Sequence, residues 1–299
     1  MRLPRERLQA IALIAPSVLA VAIFVYAFIA WTVRAALSSW QGLNPEYTFV
    51  GLSNFEFLFR NARFQIDIRN TVIFTLLFLA VSLSLGLLWA ILLDQRPKGE
   101  GFFRSMYLFP MAISFIVTGV VWRWLLNPAT SAERLSGINL LFHEAGLDFL
   151  ISKWYTHPTL GIAAIVLPAV WQMSGFTMAL YLAGLRSIPE ELREAARVDG
   201  ATEVQIYRHI VLPLLKSVTL SAVIILGHIS LKIFDLVMAI TQEGGEGYSA
   251  DVPALNMWYT AFRALRFARG AAIAVILLVS VAILVIPYLT YTMRAEVEQ

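Results

Sequence analysis

The sequence predicts an all-α integral membrane protein with six transmembrane helices and both termini in the cytoplasm. The composition is 59% hydrophobic, and only 14% of the residues are charged, whereas soluble proteins carry about a quarter. Six apolar runs are long enough to cross a bilayer. Because the 299 residues have a mean hydropathy of +0.70, too little polar sequence remains to enclose these runs inside a soluble protein.

Each run has at least the roughly 20 apolar residues that cross a hydrocarbon core of about 30 Å. The predicted spans are 9–34, 71–93, 105–126, 161–182, 217–240 and 270–291. They hold four charged residues, Arg34, Arg123, Lys232 and Asp235. The first run exceeds the apolar region of a signal peptide, so we expect it to stay as a span. The chain is thus expected to form one transmembrane domain over residues 1–299.

The distribution of basic residues predicts the orientation of the spans. With the N-terminus inside, Lys and Arg number 12 in the 61 residues of the inner segments and 8 in the 99 residues of the outer segments. Cytoplasmic loops carry such an excess of basic residues. Both termini and the segment between the fourth and fifth spans are therefore expected on the cytoplasmic side.

Several functions are excluded by what the sequence lacks. It contains no cysteine and only four scattered histidines, so we expect neither disulfides nor a metal site. The net charge of +3 is explained by basic cytoplasmic loops, and no nucleic-acid partner is expected. No nucleophile elbow and no carboxylate pair with a catalytic spacing occurs, so the chain is not expected to be an enzyme.

The segment 185–216 contains the signals of two short helices. Ser187 and Glu190 have the spacing of a capping box, so a helix is expected to begin near Ser187. Gly200 can end that helix in a left-handed conformation. Thr202 and Gln205 repeat the capping-box spacing and predict a second helix. From these features alone, docking into a protein groove and a solvated linker are equally supported.

One motif in this segment identifies a family. Glu194-Ala195-Ala196, then Gly200, then Ile210-x-Leu212-Pro213 resembles the EAA motif of permease subunits of binding-protein-dependent ABC importers. The resemblance to the carbohydrate branch of that family, which includes maltose, glycerol-3-phosphate and glucose-type permeases, continues in Gly51-Leu52-x-Asn54-Phe55, Asn70-Thr71, Trp122 with Asn127-Pro128, Trp171-Gln172, Gly175-Phe176, Ala183-Gly184-Leu185 and Phe234-Asp235. Two departures are Ser217 in place of a frequent proline and an unusual turn at 242–247.

The resemblance implies the type I ABC importer permease fold in a bacterial or archaeal cytoplasmic membrane. The implied partners are a second, homologous permease subunit, two cytoplasmic ATPase subunits and an extracytoplasmic solute-binding protein. The chain has no phosphate-binding loop of the form G-x-x-x-x-G-K-[ST], so ATP and Mg belong to the partner ATPases. The residues implied to couple to those ATPases are Glu190, Glu194, Ala195, Ala196, Arg197, Asp199, Gly200 and Ala201.

Candidate substrate contacts lie on three spans. A stripe on the fourth span has helical spacing, and in the family the matching face lines a sugar cavity, although helix packing explains the same pattern. The candidate path residues are Met111, Ser114, Ala169, Gln172, Met173, Phe176, Ser230, Ile233 and Asp235. The substrate is expected to be a monosaccharide such as glucose or mannose; a disaccharide, an oligosaccharide or glycerol-3-phosphate is the alternative.

The charges of the fifth span leave a second class open. Charges inside a membrane are functional candidates by default, so Lys232 and Asp235 could serve an ion-coupled secondary transporter. Because they stand three residues apart, they could instead neutralise each other on one helix. Arg123 lies close enough to a span end for its side chain to reach the interface.

Overall fold

A computed structural model describes the backbone of residues 5–297 and the side chains of residues 13–131 and 133–290. This part of the chain is helical, and its β structure is limited to one bridge between Ser38 and Phe49. Four continuous helices and two bent helix pairs are long and apolar enough to cross a membrane. The all-α membrane class is therefore confirmed. The first four and last two residues, counted above for the orientation, lie outside the described residues.

Fifteen α-helices occur in the described part of the chain. They are α1 (Arg5–Val21), α2 (Phe28–Ala36), α3 (Ser53–Arg60), α4 (Ala62–Asp94), α5 (Glu100–Leu108), α6 (Phe115–Leu125), α7 (Gly137–Glu144), α8 (Gly161–Ser187), α9 (Glu190–Val198), α10 (Glu203–Ile206), α11 (Leu212–Leu214), α12 (Lys216–Leu231), α13 (Asp235–Thr241), α14 (Pro253–Trp258) and α15 (Phe267–Val297). Three π-helical turns occur at Ala22–Ala27, Tyr207–Val211 and Tyr259–Arg263.

Four predicted spans are continuous helical segments. The first consists of α1, the π-helical turn and α2, whereas α4, α8 and α15 cover the second, fourth and sixth. Pro16, Pro168 and Pro287 lie inside these helices without breaking them. Inside lipid an uninterrupted helix satisfies its own backbone groups, which explains why these elements are so regular.

The third and fifth predicted spans are each interrupted. In the third, α5 and α6 are bent by 97° at a 3-10 turn, Phe109–Ala112, that contains Pro110. A proline lacks the backbone donor that continues a helix. In the fifth, α12 stops at Leu231 and α13 begins at Asp235. The second bent pair lies before this break: the helical segment that ends at Leu214 and α12 are bent by 61°.

The helices group into two compact units. The first contains the residues up to Asn61 together with Asn256–Val279. Its core is aromatic: the rings of Trp40 and Phe267 stack with centroids 4.8 Å apart. The amide of Asn54 donates to the carbonyls of Ala36 and Ser38 at 2.9 and 2.8 Å. Asn54 thereby satisfies carbonyls that the end of α2 leaves free.

The second unit contains Ala62–Leu255 and the residues from Ser280 onward. Its centre is the packing of α4 on α8, and 72% of the apolar window of α8 is buried, against 28% for α4. Gly86 allows the close approach, because a Cβ atom there would lie 2.6 Å from Cβ of Thr177. Small residues at interfaces are how helices pack in a membrane, where lipid competes for apolar contacts.

The start of α4 anchors the loop before α14. Arg63 Nε lies 2.7 Å from Asp251 Oδ2, whose side chain is fully buried. The amide of Asn70 donates to the carbonyls of Tyr248 and Asp251 at 3.1 and 2.9 Å. These bonds give a structural role to the Asn70-Thr71 pair of the sequence.

The close approach of α4 and α8 predicts the effect of one added methyl group. Gly86→Ala should lower the stability of the purified protein by about 1–3 kcal/mol, because overpacking a tight contact forces its neighbours to move. Thermal unfolding in detergent measures this. Gly101→Ala is the control, since a Cβ atom there meets nothing within 4 Å. Equal melting temperatures for the two variants would contradict the packing described here.

Candidate functional site

The segment 185–216 forms a helical elbow that begins later than the sequence predicted. Helix α8 continues through Ser187, whose hydroxyl donates to the carbonyl of Gly184 at 2.8 Å. It therefore does not cap α9, and the predicted capping box of Ser187 and Glu190 is wrong. Pro189 is the N-cap of α9, and Glu190 and Glu191 fill its first turn. Carboxylates are favoured there by the helix dipole.

The turn after α9 follows the prediction. Gly200 has a φ of +83°, the left-handed conformation that favours glycine. The amide of Ala201 donates to the carbonyl of Ala196 at 2.9 Å. Thr202 and Gln205 form the predicted capping box of α10, with Thr202 N 2.7 Å from Gln205 Oε1. The elbow therefore has a fixed geometry rather than that of a loose linker.

One face of the elbow is anchored in the second unit. Arg193 is only 9% exposed, and its Nη1 atom lies 2.9 Å from Oδ2 of Asp94, the last residue of α4. Arg193 Nη2 donates to the carbonyl of Leu185 at 3.2 Å. Ile206 is buried in an apolar cluster that also holds Leu93, and Ala196 and Ala201 pack on this cluster.

The opposite face of α9 is exposed. Its apolar Val198 has 87% of its surface accessible. Among the predicted coupling residues, the exposed ones are Glu190, Glu194, Ala195, Arg197, Asp199 and Gly200, whereas Ala196 and Ala201 are half-buried. Six of the predicted coupling residues are therefore accessible to a partner, whereas Ala196 and Ala201 pack against the rest of the subunit.

Arg197 ties the two arms of the elbow together. It lies 3.2 Å from Glu190 of α9 and 2.8 Å from Glu203 of α10. The hydrogen bond from Arg197 lowers the pKa of the Glu203 carboxyl below its ordinary value, and the bond to Glu203, followed by that to Glu190, raises the pKa of Arg197. Because all three side chains are largely exposed, these pairs fix the shape of the surface more than they stabilise the fold.

A second candidate site lies between the start of α6, after the bend of the third span, and the break between α12 and α13 in the fifth. Ser114 caps α6, accepting a hydrogen bond from the amide of Val117 at 3.3 Å. Helix α6 packs on α13, and Gly119 permits this because a Cβ atom there would lie 2.5 Å from Cβ of Ala239. A cavity of about 190 Å³ lies at these interruptions. Its walls consist of Phe115, Ile229, Lys232, Ile233, Phe234, Asp235 and Leu236.

The charges of the fifth span do not share a helix. Lys232 follows the end of α12 and Asp235 begins α13, so the expectation of a local pair on one helix is wrong. Both side chains are exposed, and within the described residues no ion pair joins them. Arg123, in the last turn of α6, is also exposed and donates to Gln242 at 3.3 Å.

The predicted path residues differ in their accessibility. Met111, Ser114 and Asp235 are exposed, and Phe176 is half-buried. The buried members are Ala169, Gln172, Met173, Ser230 and Ile233. Gln172 donates to the carbonyl of Ile113 at 2.6 Å, in the interruption of the third span. That bond is the interhelical contact which the packing alternative requires.

Sequence reasoning missed the residues that connect these sites to the rest of the unit. Arg193 and Asp94 are 99 positions apart, so no local pattern pairs them. Phe115 lines the cavity only because the chain turns after Pro110. The proline itself was the available signal. Within the described residues, no cluster of His, Cys, Asp and Glu could hold a metal ion.

Removal of the hydrogen bond from Gln172 to Ile113 is expected to lower the stability of the protein. Gln172→Ala should destabilise the protein by about 1–3 kcal/mol, because the part-buried bond to the carbonyl of Ile113 is lost. The measurement is the melting temperature in detergent. Gln95→Ala removes an exposed amide and should leave the melting temperature unchanged. A Gln172→Ala protein as stable as the Gln95→Ala control would show that the bond contributes nothing.

The comparisons with known proteins agree with this architecture. Residues 82–295 match the family model described as the inner membrane component of binding-protein-dependent transport systems. A probable ABC transporter permease protein of Pyrococcus horikoshii is 42% identical over 281 residues, 94% of each chain. A xylose/arabinose import permease protein of Haloferax volcanii is 33% identical, covering 90% of this chain and 83% of that protein.

The fold is also that of a solved importer. A chain in the crystal structure of a bacterial alginate ABC transporter, in complex with an alginate pentasaccharide-bound periplasmic protein, superimposes with a TM-score of 0.79. That match has 22% identity and covers 94% of this chain and 93% of the other. The chain thus belongs to the family of inner membrane components of binding-protein-dependent transport systems, and it is a multi-pass permease subunit of an ABC importer rather than an enzyme.

Proposed function

We propose that this chain forms half of the translocation path of an ATP-driven sugar importer and receives the driving force through the elbow at 185–216. The observation that carries the proposal is the division of the elbow into two faces. Arg193 is buried against the spans, whereas Glu194, Ala195 and Val198 are exposed on a rigid support. Leu192 and Val204 of the elbow are exposed as well, and a rigid surface with several exposed apolar side chains suits docking into a protein groove.

The proposed partners of this subunit are separate chains. A homologous permease completes the path, two cytoplasmic ATPase subunits bind ATP and Mg, and a solute-binding protein delivers the sugar outside. Membership of the binding-protein-dependent family supports this assembly, as does the periplasmic protein bound to the alginate transporter. The higher density of basic residues in the inner segments supports cytoplasmic termini and a cytoplasmic elbow.

Charge reversal on the exposed face tests the docking role. Glu194→Lys should reach the membrane at normal yield but lose most of the bound ATPase, because a like-charged or desolvated contact in an interface costs several kcal/mol. Co-purification of the ATPase with a tagged permease measures the loss. ATP-dependent uptake by membrane vesicles should fall with it.

The control for this test applies the same change elsewhere. Glu144→Lys alters an exposed glutamate of α7, in the segment placed outside. It should keep the ATPase and the transport. Normal ATPase retention in Glu194→Lys would contradict the proposed docking face.

The cavity between the broken spans supports a sugar path. Phe115 and Phe234 can cover the C–H faces of a sugar ring, and Lys232 and Asp235 can donate to and accept from its hydroxyls. Membrane transporters commonly place substrate sites at interrupted helices. We infer that Met111, Ser114 and Asp235 line this path, whereas Gln172 supports it by holding Ile113.

A monosaccharide such as glucose or mannose is the proposed substrate. The name of the xylose/arabinose permease of Haloferax volcanii supports a monosaccharide, whereas the alginate transporter shows that the same fold serves an oligosaccharide. The ion-coupled alternative for Lys232 and Asp235 is not kept, because that mechanism needs no ATPase and the chain belongs to the ABC importer family.

Removal of one charge tests the path. Asp235→Asn should lower sugar uptake about tenfold while the complex stays assembled, since a hydrogen bond to a charged group contributes about 1.5–3 kcal/mol. Uptake of radiolabelled glucose, mannose and maltose by proteoliposomes measures both rate and preference. Asp148→Asn, an exposed carboxylate in the segment placed outside, is the control. Unchanged uptake and preference in Asp235→Asn would place the path elsewhere.

A further inference from the structure

Four helix ends meet around two arginines behind the elbow. Arg193 joins α9 to Asp94 at the end of α4 and to the carbonyl of Leu185 in α8. Arg186, in the last turn of α8, lies 2.8 Å from Glu100, the first residue of α5. These bonds connect the anchored face of the elbow to three spans of the second unit.

A cavity of about 1010 Å³ opens between the elbow and these helix ends. Its walls include Asp94, Gln95, Leu185, Glu191 and Arg193. Because this space separates the start of α9 from α4 and α8, direct helix packing is replaced there by long side chains. Arg193 is the buried side chain among them that reaches from α9 to both spans.

The burial of this ion pair distinguishes it from the other pairs of the elbow. The side chains of Arg193 and Asp94 are 11% and 9% exposed, whereas those of Arg197 and Glu203 are 44% and 60% exposed. Exposed pairs contribute little, but removing one partner of a buried pair leaves an uncompensated charge. The Arg193–Asp94 pair is therefore a firm connection between α9 and α4.

Helix α4 extends this connection to the broken fifth span. Thr75 of α4 donates to Ser230 of α12 at 2.9 Å, two residues before Lys232. Thr75 and Asp94 lie on one uninterrupted helix, about 28 Å apart at the usual rise per residue. The contact of Gly86 with Thr177 holds α4 against α8 between these two points.

We propose that Arg193 is the positioning residue that transmits displacement of α9 to the α4–α8 pair and, through α4, to the cavity beside Lys232. This inference rests on the proposed function, because it assumes that ATPase subunits move α9. Loss of Arg193 should leave ATP hydrolysis intact but separate it from sugar movement. A merely structural residue would instead lower both activities together.

The test uses the complete importer in proteoliposomes and measures the sugar imported per ATP hydrolysed. Arg193→Ala and Asp94→Asn should each lower this ratio about tenfold, within the ordinary range of coupling between sites. The double variant should be no worse than either single variant, because both remove the same contact. Arg193→Lys keeps a cation for Asp94 and should recover most of the ratio.

A control variant and a spin-label measurement distinguish a specific effect of Arg193 from a general effect of losing an arginine. Arg208→Ala removes an exposed arginine of the same segment and should keep the wild-type ratio. The chain contains no cysteine, so Gln95→Cys and Glu191→Cys introduce a unique pair of spin labels across the cavity. In a complex with cysteine-free partners, the distance distribution of this pair should broaden in Arg193→Ala.

Each result has one meaning. A wild-type ratio and an unchanged distance distribution in Arg193→Ala would overturn the inference while the proposed function stands. If Arg193→Ala does not assemble, Asp94→Asn and Arg193→Lys are compared instead. The same amount of sugar imported per ATP in these two variants would also overturn the inference. A wild-type complex without ATP-driven uptake would contradict the proposed function. In that case the spin-label distances alone test whether Arg193 connects α9 to α4.

Discussion

The close packing of α4 on α8 is the constraint on which the second unit depends. Lipid removes the usual hydrophobic drive between helices, so the two spans must gain their attraction from direct contact. Gly86 provides that contact by letting Thr177 approach the backbone. Helix α4 then carries two further contacts, with Asp94 at its end toward the elbow and Thr75 in its interior toward the broken span. The packing against α8 keeps α4 rigid between these two contacts.

The sequence predicted the elements whose causes are local. Apolar runs gave the six spans, because hydrophobic length is all that crossing a bilayer requires. Gly200, Thr202 and Gln205 gave the turn of the elbow, since caps depend on residues within one helical turn. Ser187 failed as a cap because α8 had not yet ended, and its hydroxyl bonds within that helix. The end of a helix depends on packing that a single segment does not reveal.

The interruptions of two spans could be foreseen only in part. Pro110 marks the bend between α5 and α6, whereas Lys232 to Phe234 contain neither proline nor glycine. Hydropathy does not reveal a break of this kind, because apolar residues continue on both sides of it. The breaks are accompanied by tertiary contacts between helices, such as the approach of α6 to α13 at Gly119. The sequence therefore named Met111, Ser114 and Asp235 as path candidates, but their position beside two interrupted helices became visible only in the fold.

The charged residues of the two candidate sites differ in their exposure to solvent. Arg193 is buried and pairs with Asp94, 99 positions away in the sequence. This pair therefore holds α9 in one position against α4. Lys232 and Asp235 are exposed at a helix interruption without an ion pair between them, and in the proposed path their hydrogen-bonding capacity serves a passing solute. A transporter needs both kinds of site, because a connection that transmits force must not slip, whereas a path must hold its substrate weakly enough to release it.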